Sequence, residues 1–134
     1  MTSLHKDIEL VTDAATTWDA VRDFGGVHER FAAGFVTATE ADGDERVVTF
    51  VTGAVARERL IGIDEDRRRF AYAVIESPLG LTHHNASFEV IDHGSAGCRL
   101  VWDVDLLPSE SAPLMEAMMD AGAAAIAATL ARGS

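Results

Sequence analysis

Residues 98–130 read CRLVWDVDLLPSESAPLMEAMMDAGAAAIAATL, and the change of period inside this stretch decides the fold. Up to Leu107 the apolar residues alternate. Cys98, Leu100, Trp102, Val104 and Leu106 share one face, while Arg99, Asp103 and Asp105 share the other. A period of two belongs to a strand with one buried face. Pro108 ends that strand, because proline has no N–H to give to a ladder. Beyond it Leu114, Met115, Met118, Met119, Gly122, Ile126 and Leu130 recur at intervals of three and four, a broad helical stripe. Ser109 or Ser111 caps this helix, and Pro113 is tolerated in a first turn, where the missing N–H costs nothing. A long apolar helix that follows a one-sided strand must cover the concave face of a sheet.

Upstream, residues 35–107 keep the pattern of strands and tight turns. Segments 35–41 and 46–52 flank Asp42-Gly43-Asp44, a hairpin turn sequence. Gly53 leads into 54–63, a charged turn covers 64–68, and 70–76 is followed by the loop Ser77-Pro78-Leu79-Gly80. Segments 81–91 and 97–107 flank His93-Gly94-Ser95-Ala96. Connections this short join antiparallel neighbours. At the start, 4–11 alternates Ile8 and Leu10 against Asp7 and Glu9. Thr12 or Asp13 then caps a helix carrying Ala14, Trp18 and Val21 or Arg22. Gly25-Gly26 breaks it, and 27–32 forms a second short helical segment. The expectation is an α+β chain: a seven-stranded antiparallel sheet curved around a long C-terminal helix, with two short helices after the first strand.

Composition bounds the function. With 134 residues and 14.3 kDa the chain suits one domain over 1–134, burying about two-thirds of its unfolded surface. Eleven Lys+Arg against 22 Asp+Glu leave a net charge of −11, which disfavours nucleic acid and an anionic membrane surface. No signal-peptide core and no run of about 20 apolar residues is present, so no membrane insertion is expected. Cys98 is the one cysteine, which excludes an intrachain disulfide and suits a reducing cytoplasm. His83 and His84 are adjacent on a strand and point to opposite faces, so they do not chelate one ion together. No metal and no cofactor are expected, and the acidic chain fits a monomer or a homodimer.

Several segments resemble a known family. Trp18-Asp19-Ala20-Val21-Arg22-Asp23-Phe24-Gly25-Gly26 is similar to the first-helix segment of small bacterial polyketide-cyclase-like proteins, and Arg57-Glu58-Arg59-Leu60 with Asp64 to their fourth strand and turn. Tyr72 stands where such sequences carry a strand tyrosine, and Trp102 resembles their penultimate-element tryptophan. His83-His84-Asn85-Ala86-Ser87 and residues 102–108 resemble a bacterial subgroup more closely. One departure is visible: Leu79-Gly80 precedes the sixth strand, and His84 stands near the place of a tyrosine in many relatives. Together with the order of elements, these matches resemble the START/SRPBCC superfamily over nearly the whole chain. The resemblance implies a helix-grip fold with a cavity between sheet and C-terminal helix.

Alternation sorts the lining of such a cavity. Phe88 and Val90 mark the inner face of the sixth strand, which brings Ala86, His84 and Thr82 with them; Phe70, Tyr72 and Val74 share the inner face of the fifth. On the fourth strand Glu58 alternates with Leu60, and Arg57 and Arg59 with Ile61. Burying one carboxylate costs less than burying two guanidinium groups, so Glu58 points inward. The third strand is open, since Arg46, Val48 and Phe50 share one face and Val47, Thr49 and Val51 the other. An inward Arg46 would pair with Glu58. The expected ligand wall is Phe35, Glu58, Tyr72, His84 and Trp102, roofed by Met115, Met118 and Met119. A mostly apolar wall with few polar groups is the character of small-molecule sites, and methionines adapt to irregular ligands.

Three functions follow. The first is binding of a small hydrophobic or aromatic molecule, polyketide- or lipid-like. The second is a cyclase or dehydratase in which His84, Glu58 or Tyr72 moves a proton on a folded polyketone. The third is an interaction module whose interior is filled by its own side chains. Core packing also accounts for Trp18, Trp102 and the methionines.

Overall fold

A computed structural model describes residues 2–132. Strand β1 (Thr2–Leu10) is followed by α1 (Ala14–Arg22) and a π-helical turn (Val27–Phe31). Then come β2 (Val36–Asp42), β3 (Glu45–Phe50), β4 (Val55–Asp64), β5 (Arg69–Glu76), β6 (His83–Asp92), β7 (Cys98–Leu107) and the long helix α2 (Ala112–Arg132). The strands form one seven-stranded antiparallel sheet in the order β1-β7-β6-β5-β4-β3-β2. Consecutive strands pair through short turns, and β1 closes onto the last strand, with Lys6 opposite Trp102. This is the expected α+β helix-grip arrangement. The inner faces are as alternation assigns them: Cys98, Leu100, Trp102, Val104 and Leu106 are all buried, as are Phe70, Tyr72, Ala86, Phe88 and Val90.

Local chemistry explains the ends of the elements. The Asp13 carboxylate accepts from the Thr16 N–H at 2.7 Å and from its hydroxyl at 2.9 Å, so Asp13 is the cap of α1. Thr12 is buried, and its hydroxyl donates to the Leu130 carbonyl at 3.0 Å, tying the start of α1 to the end of α2. The second helical segment is a π turn, in which the Ala32 N–H donates to the Val27 carbonyl at 2.8 Å. Ahead of α2, Ser109–Ser111 forms a 3-10 turn instead of a lone serine cap. At Gly97 (φ +102) a Cβ would collide with the Leu10 carbonyl oxygen, so this crossing of the β6–β7 turn over β1 requires glycine.

Helix α2 lies against β1 and the π turn. It buries Met115, Met119, Gly122, Ile126, Thr129 and Leu130. That stripe is narrower than the spacing suggests. Leu114 is exposed, contrary to expectation, and Met118 is half-buried. Each sits one position, about 100° of helical rotation, before a buried methionine and so falls on the flank of the stripe. Thr129 takes an inner place instead: its hydroxyl accepts from the Ala33 N–H at 3.0 Å and donates to the Ala125 carbonyl at 2.7 Å. Residues 109–132 are long and apolar enough to cross a membrane by length and composition, and 33% of that apolar window is buried inside the fold. Thr82 precedes β6 and is exposed, so it takes no part in the inner face.

Candidate ligand site

The inner face of the sheet carries a run of aromatic rings that crosses three strands. Phe70 and Tyr72 of β5 have centroids 6.0 Å apart, and Tyr72 stacks on Phe88 of β6 at 6.1 Å and 17°. Phe88 stacks on Trp102 of β7 at 4.9 Å and 25°. The register sets this run, because Phe70 faces Phe88 and Phe88 faces Trp102 across the ladders. Gly122 of α2 comes down onto the far end. A Cβ there would stand 3.1 Å from Trp102 Cη2 and 3.4 Å from Phe35 Cε2. Phe35, half-buried before β2, meets Phe50 edge-on at 5.4 Å.

Glu58 points inward, and Arg46 points inward with it. Arg46 Nε and Nη2 both donate to Glu58 Oε1 at 2.8 Å, and Nη1 donates to the Phe24 carbonyl at 3.1 Å. The guanidinium also lies over the rings of Phe24, Tyr72 and Phe70, 4.6, 5.4 and 5.5 Å from their centroids. A buried ion pair needs such extra partners to offset the cost of desolvation. Sequence reasoning left Arg46 open and missed Phe24. The signal was weak: Phe24 stands just before Gly25-Gly26, at the end of a helix.

The remaining polar groups are poorly partnered. Trp102 Nε1 is buried and makes no hydrogen bond of full geometry, although it lies close enough to the Tyr72 hydroxyl to favour its ionised form. Burial first, and then the Glu58 carboxylate, nevertheless hold that hydroxyl well above the ordinary phenol range. His84 Nδ1 is buried without a partner. Burial, and to a lesser degree the neighbouring His83, push the His84 imidazole down to about 4, so it is neutral at pH 7. Across the β4–β5 ladder Glu58 faces Val74, while His84 faces Leu106 on β7.

The expected wall residues therefore all lie on the concave side, but not as one cluster. Trp102 and Phe35 meet beneath Gly122, Tyr72 is joined to Trp102 through Phe88, Glu58 reaches Tyr72 through Arg46, and His84 stands at the end near the β5–β6 loop. Met115 and Met119 are buried on the sheet side of α2, and Met118 is at its flank. Because α2 lies toward β1, the apolar residues Phe50, Leu60, Val74, Leu79 and Leu81 keep only partial cover. Two open grooves of about 380 and 610 Å³ lie elsewhere, lined by outward residues such as Val47, Val55 and Arg57 and by the acidic Glu40, Asp42 and Asp44. Among the described residues no group of three or more His, Cys, Asp or Glu converges where an ion would sit.

Residues 1–133 match the family described as polyketide cyclase / dehydrase and lipid transport. The chain belongs to that family. Solved structures agree with this family member in fold. A START superfamily protein from Mycobacterium smegmatis superposes with a TM-score of 0.81 at 14% identity, covering 98% of this chain and 99% of that one. A protein from Thermobifida fusca gives 0.80 at 28% identity, with 98% and 95% covered. The Zhui aromatase/cyclase from a Streptomyces species gives 0.74 at 18% identity, with 96% and 90% covered. Among curated proteins none matches. Membership in the polyketide cyclase / dehydrase and lipid transport family supports ligand binding or cyclisation as the chain's role.

Proposed function

We propose that this chain binds a small hydrophobic or aromatic molecule between the concave face of its sheet and α2. The observation that carries the reading is the run of stacked rings from Phe70 to Trp102, beside apolar side chains with partial cover and the buried Nδ1 of His84, which has no hydrogen-bond partner. Interiors satisfy their polar atoms, and an apolar wall holding a few polar groups in need of partners is what a ligand site requires. Phe35, Tyr72, Trp102 and the methionines Met115, Met118 and Met119 form the wall and roof in this reading; Glu58 is held by Arg46, and His84 is the polar end.

Binding is favoured over proton-transfer catalysis by the state of the candidate groups. A general acid or base works best with a pKa near the working pH. His84 is pushed down to about 4 and Tyr72 far up. Native mass spectrometry of protein purified without denaturation tests the proposal. A co-purifying small-molecule mass, released by solvent and rebound on return, is the expected result. Bare protein that also fails to bind any of a panel of hydroxylated aromatics would overturn it.

A further inference from the structure

We infer that the molecule held at this site is uncharged at neutral pH and carries a hydroxyl or carbonyl oxygen, so that acid-bearing lipids are excluded. This rests on the binding reading above and adds the chemistry of the ligand.

The first argument is charge. Among the described residues of the strands, two cations lie on the inner face, and both are already engaged. Arg46 gives three N–H groups to Glu58 and the Phe24 carbonyl. Lys6 stands opposite Trp102, but its ammonium reaches out to Asp120 at 2.8 Å and Glu116 at 3.7 Å on α2. An incoming carboxylate would have to break the Arg46–Glu58 pair and leave Glu58 beside it, or stay unpaired. Either course places an uncompensated anion against a largely apolar face, which desolvates it without supplying a partner. His84 does not help, since the neutral imidazole offers no positive charge at pH 7. The net charge of −11 works in the same direction.

The second argument is hydrogen bonding. An indole nitrogen can only donate, and Nε1 of Trp102 has the Tyr72 hydroxyl beside it but no hydrogen bond of full geometry, so a ligand acceptor oxygen would complete it. The Nδ1 of His84 donates in one neutral tautomer and accepts in the other, and a hydroxyl answers both. A plain hydrocarbon would leave His84 Nδ1 unpaired and Trp102 Nε1 with only its imperfect contact to the Tyr72 hydroxyl. The two residues lie on adjacent strands, with His84 four positions from Phe88, the partner of Trp102. Strand rise and spacing put their Cα atoms about 14 Å apart, which suits an elongated ring system with oxygen toward one or both ends.

Isothermal titration of the full chain at pH 7.5 with three probes sharing one ring system tests this: 2-naphthol, naphthalene and 2-naphthoate. The expected order is 2-naphthol tighter than either of the others by about tenfold, the size of one buried hydrogen bond. In Trp102→Phe or His84→Phe the ratio of 2-naphthol to naphthalene affinity should shrink, whatever the change in naphthalene binding itself; a ratio unchanged in both variants contradicts the hydrogen-bonding argument. Naphthoate binding as tightly as 2-naphthol, or naphthalene doing so, overturns the inference and leaves the site itself standing. Failure of all three to bind removes the binding reading and the inference with it.

Discussion

His84 couples the site to pH through its burial. Its imidazole titrates near 4 in the folded chain against an ordinary 6.5, so between these values the unfolded chain takes up a proton that the folded chain refuses. The stability contributed by the neutral ring is therefore fully present above about pH 6.5 and is lost as pH falls toward 4. The shift sets an upper bound of about 3 kcal/mol, reduced by the partial exposure of the ring. Urea unfolding at pH 7 and pH 4.5 should show His84→Gln losing less stability on acidification than the native chain; equal losses would contradict this. His5 has the opposite sign. Held between Asp103 at 2.6 Å and Asp7 at 2.9 Å, its pKa is raised, and its contribution falls away as pH rises through that value. It is exposed, so salt weakens the effect. At this scale, some side chains were legible in sequence and others were not. Glu58 could be turned inward because the alternative buried two guanidinium groups. Arg46 could not be placed, because apolar residues stand on both faces of β3 and alternation gives no preference. Its partners come from α1's end and from β4 and β5, and no local spacing contains them.

Helix α2 decides how much of the concave face stays open. At Gly122 it closes over Trp102 and Phe35, and it is anchored at its far end by Thr129 and by the Thr12–Leu130 hydrogen bond. A methyl group at 122 must push against Trp102 Cη2 and Cζ3, 3.1 and 3.2 Å away. Alanine also favours the helix over glycine by about 1 kcal/mol. Gly122→Ala is therefore expected to leave unfolding free energy within about 1 kcal/mol of the native chain while weakening 2-naphthol binding about tenfold, as read by denaturant titration and calorimetry. Unchanged affinity would show that Trp102 does not line the site. The elements were mostly legible, because β7 and α2 declare themselves by the switch from period two to a spacing of three and four. The π turn was not, since five residues after a Gly-Gly pair carry no mark of which hydrogen-bond ladder they will adopt. The exposure of Leu114 was hidden for a related reason: a three-and-four pattern gives the centre of an apolar stripe more surely than its edges.

At the scale of the molecule, the sheet order brings the first strand beside the last, and α2 crosses toward that edge rather than over the middle. The consequence is an uneven concave side, closed around Trp102 and Met119 and only partly covered near Leu79, Leu81 and His84. Family membership and superposition agree with the fold that the order of elements implies; the role of individual wall residues rests on geometry. The most direct test is methyl NMR of the chain labelled at methionine and isoleucine methyls during titration with 2-naphthol. If the ligand lies between α2 and the sheet, the ε-methyls of Met118 and Met119 shift and show intermolecular contacts to the naphthol ring. If those methyls stay still while the ring contacts Ile61, Ile75 or Ile91 on exposed surface, the site is not between α2 and the sheet.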